Sequence, residues 1–191
     1  MAFTKRSFAK ISWNEIDSIT DKLAKSVNRF IKKSNLEIAY IAPIIRGGDI
    51  PAVLLSHKLG VLRFFPMQIN KQNFLFEPAG IKLPRLKPKQ AILLVEGNQV
   101  SGGTSNMAVK KIHDIFGKSA NVIYVCISTD YSTKDKVKNI VFNDYGILTN
   151  EMQTLSNTEC KKLGVRSKLT LYPWENIIEE LKEANSSSYL D

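Results

Sequence analysis

A glycine-rich turn between an apolar run and a helical segment is the part of this sequence best suited to chemistry. Residues 92–95 are all apolar, Glu96 follows, and a helical pattern begins near Thr104. Glycines let a backbone approach an anion closely, and the first amides of a helix are unpaired and partly positive. The sequence therefore predicts a phosphate site at residues 100–104, which are Val100, Ser101, Gly102, Gly103 and Thr104.

The loop matches neither of two familiar phosphate-binding patterns. The sequence contains no GxxxxGK[ST] segment, which a P-loop requires, and no GxGxxG segment of the dinucleotide-binding kind. Taken alone, the loop is equally well interpreted as a strand-to-helix turn whose glycines serve only backbone geometry. The two histidines, His57 and His113, lack metal-ligand spacing and are interpreted as structural or surface residues.

Apolar runs that alternate with helical segments predict the framework around the loop. Such runs suit strands buried on both faces of a sheet. Their alternation with helices is typical of a single α/β domain with a mainly parallel sheet flanked by helices. We predict strands at residues 38–45, 91–95, 121–127, 138–142 and 169–172, and helices at 13–33, 51–59, 104–116 and 174–184.

Two further segments carry local signals. Ser12 and Glu15 have the spacing of a capping box at the start of the first helix. Residues 64–88 contain four prolines among aromatic residues and lysines, with a short strand expected at 64–69. Long irregular segments in compact domains are often functional lids. Residues 185–188 are expected to be a frayed tail.

The composition fits one soluble domain in the cytoplasm. The chain has 191 residues, of which 43% are hydrophobic and 24% are charged. No apolar run reaches the roughly 20 residues of a membrane helix, and no secretory signal is recognised. Cys126 and Cys160 are expected to be free thiols, Cys126 in a buried position.

The net charge of +9 favours anionic partners in general. Nucleic acid, an acidic membrane surface and phosphorylated metabolites all belong to that class. The lysines are dispersed among acidic residues, so a lysine-rich solvated surface is the preferred interpretation. A membrane partner is not expected, and nucleic acid stays open as a less favoured partner.

Two loops of the sequence together resemble those of type I phosphoribosyltransferases. ILLVEGNQVSGGT at residues 92–104 is similar to the family's phosphoribosyl-diphosphate signature. YIAPIIRGGDIPAVLLSHKLG at residues 40–60 is similar to its diphosphate loop. ISWNE at 11–15 and YPWE at 172–175 resemble the xanthine–guanine and hypoxanthine branch. The resemblance implies a phosphoribosyltransferase-like domain over 11–176, a C-terminal helix and tail over 177–191, and a small hood built from the terminal segments.

This resemblance implies an enzyme, a pentosyltransferase of purine salvage. Such an enzyme transfers 5-phosphoribosyl from phosphoribosyl diphosphate to a purine-type base and releases diphosphate. Residues 100–104 would hold the 5′-phosphate, and Glu96 would bind the ribose hydroxyls. Arg46 and Gly47 would bind the diphosphate, with Arg46 neutralising the leaving group.

The resemblance also implies a cofactor, a base pocket, a lid and an assembly. Mg²⁺ would arrive with the diphosphate, since no ligand cage is encoded. Ile127, Ser128 and Tyr145 would line the base pocket. The segment 64–88 would close as a lid that excludes water. A homodimer or homotetramer is expected.

The sequence departs from the family pattern at positions that matter for chemistry. Gly97 replaces the second acidic residue, and Val100 replaces the aspartate that purine enzymes place near the base. The strand end at Cys126, Ile127 and Ser128 lacks the lysine that purine enzymes commonly use there. Two alternatives to purine transfer therefore stay open. One is a regulator that binds phosphoribosyl diphosphate or a nucleotide, and the other is a transferase with a non-standard acceptor.

Overall fold

The fold is known from a computed structural model that describes residues 3–69 and 85–186. The helices and strands of the described residues are β1 (Phe8–Lys10), α1 (Trp13–Ser34), β2 (Glu37–Ile45), α2 (Asp49–Leu59), β3 (Met67–Gln68), β4 (Gln90–Gln99), α3 (Gly103–Phe116), β5 (Asn121–Asp130), β6 (Phe142–Thr149), α4 (Asn157–Leu163), β7 (Leu169–Leu171) and α5 (Ile177–Ala184). Five of these strands form the central sheet, in the order β3-β2-β4-β5-β6, and every neighbouring pair is parallel. The α/β architecture expected from the apolar runs is confirmed.

Side-chain alternation along the central strands divides the core into two layers. On β4, Leu93 and Val95 pack with residues of α1 and α2. Ile92 and Leu94 pack with residues of α3 on the opposite face. Residues 91–95 of β4 are buried on both faces of the sheet, which explains why they form a continuous apolar run.

The first helix begins where the capping box predicts. The Glu15 amide donates to Ser12 Oγ at 3.2 Å, and the Ser12 amide donates to Glu15 Oε2 at 2.9 Å. These two bonds satisfy backbone donors that the helix leaves unpaired. Asn35, in the left-handed conformation, ends the helix at its other end.

The two ends of the chain form the small hood. β1 pairs in parallel with β7, with Phe8 opposite Leu169. Residues of α5, among them Leu181 and Ala184, pack against these strands. The hood expected from the terminal segments is therefore present. Its strand β1 lies just before residue 11, where the resemblance begins.

The structure corrects three sequence-based predictions. The fourth strand runs over Phe142–Thr149 rather than 138–142, because Asn, Asp and Gly in that stretch hide the strand pattern. The helix α4 was not predicted, although Ser156 and Glu159 form a capping box at its start. The last helix begins at Ile177 and not at 174, since Tyr172, Pro173 and Trp174 form a turn.

Other expectations depend on which residues are described. The strand expected at 64–69 is the short β3, whereas residues 70–84, most of the expected lid, and 187–191 of the tail lie outside the described residues. Cys126 and Cys160 are both free and buried. In the described segments, no helix is long and apolar enough to cross a bilayer.

Gly146 on β6 provides a test of how closely α1 packs on the sheet. A Cβ at this position would lie 2.6 Å from the carbonyl oxygen of Ile127 and would also collide with Ile19 of α1. We expect Gly146→Ala to lower the free energy of unfolding by about 1–3 kcal/mol, the usual cost of overpacking. Denaturant unfolding measures this change. Gly103→Ala is the control, because its Cβ would meet only Ser101 Oγ at 3.5 Å. Equal stability of both variants would contradict the described contact.

Candidate functional site

Two strand-to-helix loops meet at the carboxyl edge of the central sheet. β2 and β4 are parallel neighbours, with Pro43 opposite Val95. The chain leaves β2 through Arg46 and Gly47 into α2, and leaves β4 through residues 100–102 into α3. Both helices therefore present their partly positive N-terminal ends at this edge, where open parallel sheets commonly bind ligands.

The loop after β2 packs against the backbone of β4 near the carboxyl end of that strand. A Cβ on Gly97 would lie 2.6 Å from the carbonyl oxygen of Gly47. A Cβ on Gly48 would collide with the carbonyl oxygen of Val95. Only glycine fits this approach without a shift of the backbone. Gly97, which stands where the family has its second acidic residue, therefore has no room for a carboxylate side chain in this arrangement.

Side chains from outside the loop hold its carbonyl groups. Thr133 Oγ1 donates to the Val100 carbonyl at 2.6 Å, and Asn106 Nδ2 donates to the Gly102 carbonyl at 2.8 Å. Gln99 Nε2 in turn donates to the Thr133 carbonyl at 2.6 Å. The segment after β5 and the first turn of α3 thus fix the path of the loop.

This anchoring determines where the loop amides point. The carbonyl of one residue and the N–H of the next point in opposite directions across a trans peptide bond. Because the Val100 carbonyl is bound to Thr133, the Ser101 N–H faces away from that side chain. The Gly103 N–H donates only a 3.3 Å bond, to Ser101 Oγ. Ser101 and Gly103 are exposed, so their amides can serve an anion.

Sequence reasoning missed the contribution of the segment after β5. The lysines there were interpreted as solvated surface, yet Lys136 Cβ would lie 3.5 Å from a Cβ on Gly102. The Asn106 side chain also donates to the Lys136 carbonyl at 3.0 Å. Lys136 is exposed, and its Cβ lies beside the loop. The only sequence signal was a cluster of lysines, which does not specify its neighbours.

Glu96 lies inside the protein rather than at the open edge. It is only 9% exposed. Tyr124 Oη donates to Glu96 Oε2 at 2.7 Å, and Ser105 Oγ donates a short bond to the same oxygen. Burial raises the pKa of Glu96, and the two hydroxyl donors oppose that rise. Its carboxyl group joins β4 to the first turn of α3 and so positions the phosphate loop.

Arg46 is the exposed cation of the diphosphate loop. Its side chain is 79% exposed, and its guanidinium lies 3.7 Å from the Glu183 carboxylate of α5. Exposed pairs of this kind contribute about 0–1 kcal/mol. The Arg46 guanidinium can therefore leave Glu183 for a bound anion at little cost, and α5 supplies a competing carboxylate at the mouth of the site.

A buried chain of polar side chains connects the hood to the strand ends. Tyr172 Oη donates to the Gly97 carbonyl at 2.6 Å and lies 2.5 Å from Ser128 Oγ. Ser128 Oγ donates to Asn98 Oδ1 at 2.8 Å, and Asn98 Nδ2 donates to Glu151 Oε2 at 2.9 Å. These groups satisfy one another, which ties the hood rigidly to β4 and β5.

The residues predicted for the base pocket are not brought to one open surface. Ile127 is fully buried in the apolar layer under α1. Ser128 is fully buried in the polar chain just described. Tyr145 lies opposite Cys126, below the carboxyl ends of the strands, and packs against the layer under α3. Their assignment to a base pocket stays a prediction.

The side chains at this edge suit an anion better than a bare metal ion. The described residues contain no cluster of three or more His, Cys, Asp or Glu placed to hold a metal. The Glu96 carboxylate is engaged by two hydroxyl donors. The donor set is consistent with Mg²⁺ that is bound mainly by the oxygens of a diphosphate.

Variants of Glu96 separate a positioning role from a ribose-binding role. Glu96→Ala leaves the hydroxyls of Ser105 and Tyr124 without their acceptor, and we expect the free energy of unfolding to fall by about 1–3 kcal/mol. Glu96→Gln keeps an acceptor oxygen, so its stability and its affinity for phosphoribosyl diphosphate should change much less. Thermal unfolding and calorimetric titration measure the two properties. A loss of affinity above about tenfold in Glu96→Gln, without a loss of stability, would contradict this placement.

Glu175 makes a pH dependence testable at the hood. Its carboxylate accepts from the Tyr172 amide at 2.8 Å, in the turn that stacks Tyr172 on Trp174 with centroids 4.9 Å apart. Burial raises the pKa of Glu175 to about 7. A folded-state pKa above the unfolded value destabilises the fold above pH 7, and this penalty disappears as the pH falls from 7 toward 4.5.

We therefore expect Glu175→Gln to raise the melting temperature more at pH 8 than at pH 5. The glutamine oxygen can still accept from the Tyr172 amide, so the variant removes the charge and keeps the bond. Glu179→Gln, at an exposed position in the first turn of α5, is the control. A stabilisation that is the same at both pH values would show that the Glu175 charge is not the cause.

Comparisons with known proteins place the fold. No family model matches the sequence, and no curated protein is similar to it in sequence. Solved structures are similar in fold. A purine phosphoribosyltransferase from Pyrococcus horikoshii Ot3 matches with a TM-score of 0.62 and 19% identity, over 89% of this chain and 95% of that chain.

Two further structures agree over most of their length. Helicobacter pylori xanthine-guanine-hypoxanthine phosphoribosyltransferase matches with a TM-score of 0.60 and 15% identity, over 92% of this chain and 99% of that chain. A hypothetical protein from Neisseria gonorrhoeae, solved with bound ppGpp, matches with a TM-score of 0.62 and 16% identity, over 93% of this chain and 94% of that chain. The chain therefore has the type I phosphoribosyltransferase fold.

Proposed function

We propose that this protein binds phosphoribosyl diphosphate at the carboxyl edge and transfers its 5-phosphoribosyl group to a purine-type base, releasing diphosphate. The observation that carries the proposal is the contact between the loop after β2 and the carboxyl end of β4, where Gly97 packs on the backbone of Gly47. This contact places the loop after β2 beside the strand that leads into residues 100–102, so two anion-binding loops can hold the two ends of one ligand. The fold shared with purine phosphoribosyltransferases supports the same ligand.

The loop after β4 would hold the 5′-phosphate. The Ser101 amide faces away from Thr133, which binds the preceding carbonyl. The Gly103 amide can exchange its weak hydrogen bond to Ser101 for a bond to a phosphate oxygen. The N-terminal end of α3 adds its dipole, and Lys136 adds a full positive charge nearby. These contacts fix the sugar without taking part in bond breaking.

The loop after β2 would bind the diphosphate. Arg46 is exposed and held only by a weak ion pair, so it can neutralise the charge that develops on the leaving group. Mg²⁺, bound to the diphosphate oxygens, supplies further neutralisation. Positioning and electrostatic stabilisation together are enough to accelerate transfer of a sugar group.

The acceptor side supplies little acid–base chemistry. The Val100 side chain has no group that can donate or accept a proton, and the Ser128 hydroxyl donates to the Asn98 side chain. The Glu96 carboxyl group is buried, and one of its oxygens, Oε2, accepts from both Ser105 and Tyr124. Catalysis in this proposal therefore depends on stabilising the leaving diphosphate. We expect the rate with purines to be lower than that of other purine phosphoribosyltransferases of this fold.

A second candidate function is a regulator that binds phosphoribosyl diphosphate or a nucleotide without turnover. The buried position of Glu96 favours this candidate. The loop expected to bind phosphate is retained, whereas Glu96, expected to be catalytic, bonds Ser105 of α3. The neighbour solved with bound ppGpp supports nucleotide binding on this fold. The two candidates share the ligand site and differ in whether diphosphate is released.

An assay of diphosphate release with a panel of bases separates the two candidates. Release that depends on hypoxanthine, guanine or xanthine would support purine transfer. Release with another nitrogenous acceptor alone would indicate a changed acceptor. Tight binding of phosphoribosyl diphosphate with no release would favour the regulator. If neither phosphoribosyl diphosphate nor a nucleotide binds, both candidates are rejected.

Arg46→Ala tests the diphosphate loop directly. We expect the affinity for phosphoribosyl diphosphate to fall by about tenfold or more, since a charge-assisted contact is lost. The affinity for ribose 5-phosphate should hardly change, because that ligand lacks the diphosphate. Calorimetric titration measures both, and Arg63→Ala, at an exposed position after α2, is the matched control. Equal losses for the two ligands in Arg46→Ala would contradict the assigned role.

A further inference from the structure

The outer face of α1 carries a row of cations. Lys22, Lys25, Arg29, Lys32 and Lys33, called the basic stripe below, are all exposed. Their spacing of three and four residues places them on one side of the helix, opposite the buried face. Like charges at this spacing repel one another and weaken a helix, so helix stability does not account for the row.

The acidic residues of α1 do not neutralise the basic stripe. Glu15 pairs with Arg166 at 2.8 Å, and Lys58 of α2 pairs with Asp17 at 2.7 Å and Asp21 at 2.5 Å. Every carboxylate of the helix is thus bound by a cation from another element. Lys25 also lies close enough to Asp21 for a weak attraction. Among residues 3–69 and 85–186, the basic stripe makes no ion pair of its own.

The stripe is long and lacks apolar neighbours. From Lys22 to Lys33 the helix rises about 16 Å, which is the rise of about five nucleotides in one strand of B-form DNA. The only large hydrophobic residue exposed on α1 is Trp13, which packs against Trp174. Insertion into a bilayer needs an apolar face, which α1 does not offer. These properties favour a nucleic-acid strand over a membrane surface.

A cavity adjoins one end of the stripe. It has a volume of about 440 Å³ and lies between α1 and β6. Lys22 lines it and donates to the Tyr145 carbonyl at 3.2 Å. Ser18, Glu15 and Arg166 also line it, together with the backbone of β6. A space of this size beside a row of cations can receive an unstacked base, whereas the bases of a duplex are not free to enter.

We propose that α1 is a binding surface for single-stranded nucleic acid, with phosphates along the basic stripe and one unstacked base in the cavity beside Lys22. The surface is formed mainly by α1 and β6 and includes no residue of the loops after β2 and β4. It therefore does not depend on the function proposed for those loops. The shared chemistry is a phosphodiester backbone, so RNA and DNA are both candidate sources.

Fluorescence anisotropy with labelled single strands of about 12 nucleotides tests the proposal. The unmodified protein should bind RNA or DNA single strands more tightly than a duplex of the same length. The variant Lys25→Glu/Arg29→Glu/Lys32→Glu should bind at least about tenfold more weakly at about 50 mM salt. The slope of log affinity against log salt concentration should also become shallower by about 2, the change expected when three phosphate contacts are lost.

A charge-matched control separates this surface from general basicity. Lys87→Glu/Lys110→Glu/Lys118→Glu makes the same change in net charge at exposed positions away from α1. Binding should survive in this control, and both triple variants should keep their affinity for phosphoribosyl diphosphate, which shows that they are folded. If that ligand does not bind the unmodified protein, equal melting temperatures serve the same purpose.

Three results would overturn the proposal. The first is equal weakening in the two triple variants, which would assign binding to net charge. The second is binding of a duplex as tight as that of the single strand, which would remove the role of the cavity. The third is no binding of any strand at about 50 mM salt, with or without binding to vesicles that contain roughly one-third phosphatidylserine.

Discussion

The arrangement of this site depends on the contact between the backbones of Gly47 and Gly97. Parallel strands separate their chains by a fixed distance, so the loop after β2 can pack on the neighbouring strand β4 only where side chains are absent. Gly97 meets the Gly47 carbonyl, and Gly48 meets the Val95 carbonyl. This packing holds the start of α2 against the carboxyl end of β4. It also excludes an acidic side chain at position 97, so the same contact removes one expected catalytic group.

The remaining acidic group serves the structure around the loop. Glu96, Ser105 and Tyr124 form a buried set of hydrogen bonds, and no cation among the described residues lowers the pKa of the Glu96 carboxyl group. A group of this kind restricts movement of the first turn of α3 relative to β4. On the other side of the loop, Thr133 and Asn106 bind its carbonyl groups. The loop at residues 100–102 is thus held in place by the fold itself, and the bonds among Tyr172, Ser128 and Asn98 hold the neighbouring ends of β4 and β5.

Much of the fold could be predicted from the sequence, since strands buried on both faces must be apolar and helix caps have specific residues. The apolar run of β4 and the capping box at Ser12 are examples. The loop at 100–104 was predictable from its glycines and its place before a helix. The inward position of Glu96 was not, because its donors Ser105 and Tyr124 lie nine and 28 residues away along the chain. The same limit applies to Thr133 and to the pairing of α1 carboxylates with Lys58 and Arg166, which leaves the basic stripe unneutralised.

The most direct test of the central claim is to locate the ligand on the backbone. Two-dimensional ¹⁵N NMR of the protein, titrated with phosphoribosyl diphosphate and Mg²⁺, reports every amide that the ligand approaches. If the loops after β2 and β4 form one site, the amides of Ser101, Gly102, Gly103 and Thr104 should shift together with those of Arg46, Gly47 and Gly48, and all should saturate at the same ligand concentration. Shifts confined to one loop, shifts centred on another surface such as the cavity beside α1, or no saturable shift would contradict the claim.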